Sequence, residues 1–125
     1  MIFKQLRENM DVKDAVFNEL YPPNIKAVAE IHWTPVSIAK MAAEYLVEEP
    51  GKKVLDIGAG VGKFCLVGAA STKGFFYGVE QRASLTKISR KIAGRHNITN
   101  VEFINSNINE IDFSNFEALL FQFFF

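Results

Sequence analysis

An α/β fold with a parallel sheet and flanking helices is what this sequence predicts, on three observations. Apolar runs of strand length recur at 53–57, 75–80, 101–105 and 116–125. Stretches with helical periodicity lie between them. A glycine-rich turn, Gly58-Ala59-Gly60-Val61-Gly62, joins the first run to a helix. Strands alternating with helices of about a dozen residues argue for right-handed βαβ units, and hence for parallel strands.

Before the alternation starts, Val12–Leu20 reads as a short helix with Asp11 as N-cap, broken by Tyr21-Pro22-Pro23-Asn24. Thr34-Pro35 reads as a helix start, an N-cap hydroxyl followed by proline at the first helical position. Ile38, Met41, Ala42, Tyr45 and Leu46 then fall on one helical face, predicted to be the buried one. Glu48-Glu49-Pro50-Gly51 ends that helix. In the strand Lys53–Ile57, Val54, Leu55 and Ile57 form an apolar run of the buried parallel type. The glycine turn leads into a helix over Lys63–Ser71. Lys73-Gly74 turns the chain into a second strand, Phe75–Glu80. Ser84–Arg95 is helical, with Leu85, Ile88 and Ile92 on one face. Val101–Asn105 and Phe116–Phe125 complete the strands.

The turn carries most of the functional information. Glycines at 58, 60 and 62 let the backbone turn sharply and approach a ligand without side chains in the way. The helix N-terminus behind them offers unpaired N–H groups. Asp56, at the strand end, adds a carboxylate, which suits a cationic amine better than a pyrophosphate. Two nucleotide loops fail on the letters. A dinucleotide G-x-G-x-x-G would need glycine at Lys63, and a P-loop would need a hydroxyl at Phe64 and one more residue before Gly62.

Residues 54–62, Val-Leu-Asp-Ile-Gly-Ala-Gly-Val-Gly, resemble motif I of the class I S-adenosylmethionine-dependent methyltransferases, V-L-D-x-G-x-G-x-G. The resemblance implies a Rossmann-like sheet, with S-adenosyl-L-methionine as cofactor. It places Asp56, Gly58, Ala59, Gly60 and Gly62 in the cofactor site. An acid ending the second strand, here Glu80, would accept hydrogen bonds from the ribose 2′,3′-diol. A solvated strand-end carboxylate is the alternative. After the third strand the family often has Gly-Asp-Ala. This chain has Ser106-Asn107-Ile108, where the Asn107 oxygen would accept from the adenine amino group and Ile108 would pack on the ring. A plain turn serves equally well. His32-Trp33-Thr34-Pro35 resembles the Phe-Thr-Pro element that lies over the methionine end of the cofactor in several amino-methyltransferase groups, which would bring Thr34 and Pro35 to the site.

The resemblance runs from about Thr34 to Leu120, so residues 1–33 are expected to form an N-terminal helical segment and 34–125 a partial S-adenosylmethionine-binding domain. The family's strand order is 3-2-1-4-5-7-6, and this sequence supplies candidates for the first four strands. The substrate motif that follows strand 4, often Asn/Asp-Pro-Pro-Tyr/Phe, has no counterpart in Leu119–Phe125. The expectation is a fold truncated after strand 4, with the cofactor half present and no catalytic residue to name. Phe116–Phe125 would then form an exposed apolar strand prone to self-association.

Composition narrows the classes. Hydrophobic residues make up 49% and charged residues 22%, which are globular values. Net charge is +0, so no global field favours nucleic acid or an anionic membrane. No apolar run approaches a transmembrane span. The single cysteine, Cys65, excludes an internal disulfide, is read as a packing residue, and fits a reducing cytoplasm. His32 and His96 stand apart, without a metal-ligand cluster. Arg82, Lys87, Arg90, Lys91 and Arg95 are either a nucleic-acid-facing stripe or, as favoured here, the solvated side of an amphipathic helix. The function expected is an S-adenosylmethionine-dependent methyltransferase of unknown acceptor. The alternative is a non-catalytic nucleotide-binding or interaction module.

Overall fold

A computed structural model describes residues 1–27 and 33–121. Three short helices open the chain: α1 (Ile2–Arg7), α2 (Asp14–Asn18) and α3 (Pro23–Lys26). Then follow α4 (Val36–Leu46), β1 (Lys53–Ile57), α5 (Lys63–Ser71), β2 (Phe75–Glu80), α6 (Ala83–Arg95), β3 (Val101–Asn105), two 3-10 turns and β4 (Ala118–Phe121). The four strands form one parallel sheet in the order β3-β2-β1-β4, a Rossmann-like arrangement. The first three strands have the bounds that the sequence predicts. The fourth begins at Ala118, two residues after the predicted start at Phe116, and residues 122–125 lie outside the described ones. Register sets Asp56 beside Gly78 on one edge and Leu120 on the other, and Glu80 beside Asn105.

The core is built around α5. Every residue from Lys63 to Ala70 is buried, as expected of a helix that is apolar on all sides. The sheet lies on one side of it, and α4 and α1 pack against it. Phe3, Leu6, Val12 and Phe17 from the first eighteen residues belong to the same core cluster as Phe64, Leu66 and Phe76. Among the described residues no helix is long and apolar enough to cross a membrane.

Two local expectations are corrected. The second helix starts at Asp14, not Val12, and Asp11 does not cap it. Val12 is buried in the core ahead of the helix, and the extended Lys13 leads into it. In α4 the buried residues are Val36, Ala39 and Ala43, whereas Ile38, Met41 and Tyr45 are 49%, 65% and 81% exposed. The helix turns its smallest side chains toward α5, which lets the two backbones come close. Ile38, Met41 and Tyr45 are left at the surface, while Ala42 and Leu46 of the predicted face are partly buried against the core.

Close packing of α5 on β2 rests on Gly68. A Cβ at Gly68 would lie 2.5 Å from the Phe76 ring, which is fully buried. Gly68→Ala should therefore destabilise the fold by about 1–3 kcal/mol through overpacking, although alanine is the better helix former. A lower urea midpoint at unchanged m-value checks this, and a raised midpoint would show that the ring can yield.

Candidate functional site

At the end of β1 the chain takes three left-handed steps, at Gly58 (φ 78°), Gly60 (φ 58°) and Gly62 (φ 80°). Gly62 is also a close approach: a Cβ there would lie 2.6 Å from the Phe103 ring and 2.8 Å from Ser89 Oγ. The turn is pinned to β2. The N–H groups of Gly58 and Ala59 both donate to the Val79 carbonyl, at 2.9 and 3.0 Å. The turn delivers the chain to the N-terminus of α5, whose first N–H groups have no partner within the helix.

Glu80 closes β2 against this turn. Its side chain is 5% exposed, and its Oε1 accepts from the Gly60 N–H at 2.9 Å. Oε2 accepts from the Arg82 N–H at 3.0 Å and from Arg82 Nε at 2.8 Å. Burial pushes the carboxyl pKa up, but the hydrogen bonds from Arg82 and Gly60 and the Arg82 charge outweigh it, so the group sits below its ordinary value and stays ionised. Asp56 lies beneath the turn, fully buried, with Cys65 Sγ 3.5 Å from Oδ2. Burial, and next the neighbouring Asp56 charge, push the Cys65 thiol well up, which keeps it protonated and unreactive.

Beyond β3 the chain crosses the end of β2. The Ser106 N–H and the Asn105 side-chain amide both donate to the Glu80 carbonyl, at 3.2 and 2.9 Å. Asn107 is exposed and caps a short 3-10 turn, its Oδ1 accepting from the Asn109 N–H at 3.0 Å. Ile108, in the same turn, is 37% exposed. Asp56, the glycine turn, Glu80 and the 106–108 segment thus all stand at the C-terminal ends of neighbouring strands, where open α/β sheets bind ligands.

The residues that flank Thr34 and Pro35, Trp33 and Val36, are tied toward the turn and the start of α5. Trp33 packs edge-on against Tyr21, ring centroids 4.5 Å apart, and the Tyr21 hydroxyl donates to the Val61 carbonyl at 2.9 Å. The expected capping role of Thr34 is corrected. Pro35 is the N-cap, and no side chain of the cap itself bonds the helix. Asp14 does the work from 22 residues away, its Oδ1 accepting from the Val36 N–H at 2.8 Å. The same oxygen pairs with Lys63 Nζ at 2.8 Å. Lys63 is buried, and its ammonium lies 5.6 Å from the Phe17 ring centroid and 5.8 Å from that of Trp33. One carboxylate oxygen therefore ties α2, the start of α4 and the start of α5 together. His32 lies outside the described residues.

Asp14, Tyr21, Lys63 and Arg82 were not singled out from the sequence as site residues. Lys63 carried a readable signal: a cation in the first turn of a helix opposes the macrodipole and calls for an acidic partner. The basic series divides. Arg82 pairs with Glu80, and Arg90 Nε donates to the Phe103 carbonyl at 2.9 Å. Lys87, Lys91 and Arg95 line a cavity of about 470 Å³ with Glu19–Pro22, Ile88 and Ile92, apart from the glycine turn. Among the described residues no group of three His, Cys, Asp or Glu side chains could hold a metal.

A family profile described as "Methyltransferase domain" matches residues 48–122, more than half of the chain. Among solved structures, an RNA methyltransferase from Salinibacter ruber in complex with S-adenosyl-L-homocysteine is similar at 24% identity, covering 70% of this chain and 58% of that one, with a TM-score of 0.64. An S-adenosylmethionine-dependent O-methyltransferase from Thermotoga maritima is similar at 20% identity, over 80% of this chain and 40% of that one, with a TM-score of 0.62. Coclaurine N-methyltransferase, bound to N-methylheliamine and S-adenosylhomocysteine, is similar at 22% identity, over 69% and 26%, with a TM-score of 0.60. At such identities the likeness is one of fold. The chain spans between about a quarter and three-fifths of the length of these proteins. No curated protein matches the sequence.

The Asp14 bridge makes a stability claim. Burial raises the Asp14 pKa, but the Lys63 and Val36 hydrogen bonds and the Lys63 charge outweigh it and hold it below its ordinary 3.8. A depressed folded-state pKa contributes stability that is complete above the unfolded value and is lost as pH falls through the folded one. Asp14 and Glu80 should therefore leave stability level above about pH 4.5 and lower it progressively below. Asp14→Asn should flatten the acid limb of a melting-temperature profile. At neutral pH Asp14→Ala should cost about 1–2 kcal/mol, discounted for its half-exposed carboxylate. That cost should shrink in a Lys63→Met background, where no buried ammonium is left unpaired. Equal costs in both backgrounds, by urea titration, would remove the bridge from the stability argument.

Proposed function

The chain belongs to the methyltransferase-domain family, and we propose that its glycine turn and strand ends bind S-adenosyl-L-methionine for transfer of a methyl group to an acceptor that remains to be identified. The observation that carries this reading is the hydrogen bond from the Gly60 N–H to Glu80, which brings a buried, ionised carboxylate onto the glycine turn. The residues suit the cofactor. Gly58 and Gly60 add no side chain to the turn, Gly62 lets it lie close on Phe103, and the α5 N-terminus can receive a carboxylate. Glu80 can accept from a ribose diol. Two of the similar structures have S-adenosylhomocysteine named with them.

In this reading Gly58, Ala59, Gly60 and Gly62 cradle the amino-acid end, with Asp56 beneath and Thr34 and Pro35 on the far side. Asn107 and Ile108 receive the adenine. When bound, the cofactor supplies a sulfonium-activated methyl group. The chain's part is to hold that group in line with a nucleophile and to exclude water. No residue is assigned to acceptor chemistry. The three similar methyltransferases are named for RNA, O- and N-methylation, so they do not select an acceptor class for this chain. The free, buried Cys65 thiol is in keeping with a reducing, cytoplasmic setting.

Titration calorimetry tests the cofactor. S-Adenosylhomocysteine should bind and NAD should not. Gly60→Val should abolish binding, since a β-branched residue is strained at φ 58°, while far-ultraviolet circular dichroism stays largely unchanged. Preference for NAD, or equal affinity of the variant, would defeat the reading. Self-association is also proposed. Among the described residues β4 pairs on one edge only, and Leu119 is 42% exposed. Light scattering should show oligomers that Leu119→Lys reduces, and a wild-type monomer at high micromolar concentration would refute this.

A further inference from the structure

We propose that Arg82 is a displaceable internal ligand of Glu80, holding the two acceptor positions that the ribose diol takes and so setting the affinity of the crevice for its cofactor. The inference rests on the cofactor reading above. An ionised carboxylate offers about four acceptor positions. Four N–H donors already reach Glu80. On Oε1 they are the Gly60 N–H at 2.9 Å and Arg82 Nη2 at 3.2 Å. On Oε2 they are the Arg82 N–H at 3.0 Å and Arg82 Nε at 2.8 Å. The carboxylate is full, and a ribose can reach it only by exchange.

The four donors are not equally replaceable. The Gly60 N–H is fixed by the turn. The Arg82 N–H is fixed by the backbone, since Arg82 is the N-cap of α6. The two guanidinium donors belong to a side chain that is 58% exposed, against 5% for Glu80. Among the described residues the guanidinium bonds nothing else. It can swing into water while the carboxylate stays in place. The fork of Nε and Nη2 presents two side-by-side donors to the two oxygens, and a pair of vicinal hydroxyls presents the same number to the same edge. Exchange then conserves hydrogen bonds but gives up a charge partner. Three consequences follow from that balance. A neutral side chain at position 82 tightens nucleoside binding. Added salt, which screens the half-exposed ion pair, tightens it too. A nucleoside lacking one hydroxyl leaves one acceptor unfilled and competes poorly with the arginine.

The test is titration calorimetry of the full chain with S-adenosylhomocysteine, for wild type, Arg82→Met and Arg82→Gln, at low and high sodium chloride. Alongside it, the Arg82 Nε–H resonance is followed by nuclear magnetic resonance. Both variants should bind about three- to tenfold tighter than wild type, in the range of a partly exposed ion pair. The salt effect should vanish in the variants, and the Nε–H resonance should move to the position of a solvated arginine as ligand saturates. Equal or weaker binding by both variants at unchanged melting temperature would overturn the proposal, and so would an Nε–H resonance that holds its position. Absence of binding to wild type and variants alike would overturn the cofactor reading itself, and this inference with it. Binding by the variants alone would support both.

Discussion

Strand β1 is hydrogen-bonded along both edges, to β2 and to β4, and the rest of the molecule is placed relative to it. From Val54 to Ile57 it is buried, so Val54, Leu55 and Ile57 pack and the Asp56 carboxylate must find its partners inside the protein. Its polar opportunity lies at its C-terminal end, where the glycine turn begins. Parallel pairing sends the neighbouring strands out on the same side, and register then sets Asp56 level with Gly78 and Glu80 level with Asn105. Gly78 is part of the same constraint. A Cβ there would lie 2.9 Å from Ala59 Cβ and 2.9 Å from the Phe103 ring, so a larger residue would push the turn off the sheet.

Charge inside this frame is held by partners within hydrogen-bond reach, near and far in sequence. Asp56 has Cys65, Glu80 has Gly60 and Arg82, and Lys63 has Asp14. Lys63 is the least comfortable of these. It opens a helix, where the dipole disfavours a cation, and only 7% of its side chain is exposed. Asp14 and the faces of Phe17 and Trp33 make the position tenable. The N-terminal helices thus supply the counter-charge that the glycine-turn helix needs.

What the sequence disclosed followed from how local each signal was. The strands at 53–57, 75–80 and 101–105 were legible to the residue because buried parallel strands are short apolar runs with clear stops. The family was legible in nine consecutive letters, and the sheet order β3-β2-β1-β4 is the one it implies. Hydropathy misleads on part of the α4 face, since it ranks Ile38, Met41 and Tyr45 above Ala39 and Ala43, while close packing prefers the small residues. The Thr34 hydroxyl is the adjacent candidate for a cap, and adjacency misleads here. The acceptor actually used, on Asp14, is 22 positions upstream and invisible to any local rule. Arg82 looks in sequence like one of the helical cations that follow it, but it lies outside α6 and turns back to Glu80 two residues before. The structure puts Asp56, the glycine turn, Glu80 and the 106–108 segment at one end of the sheet, and side chains from the first 21 residues hold Trp33 and Val36, which flank Thr34 and Pro35.

The shared core of the N-terminal helices and α5 has a consequence for cooperativity. Phe3, Leu6 and Phe17 lie in one apolar cluster with Phe64, Cys65 and Leu66, and Tyr21 bonds the turn itself at Val61. Opening of the first 21 residues would strip solvent protection from the helix that carries the turn. The N-terminal segment and the helix that carries the turn therefore share one core and are expected to open together. Whatever anchors one of them lengthens the lifetime of the other.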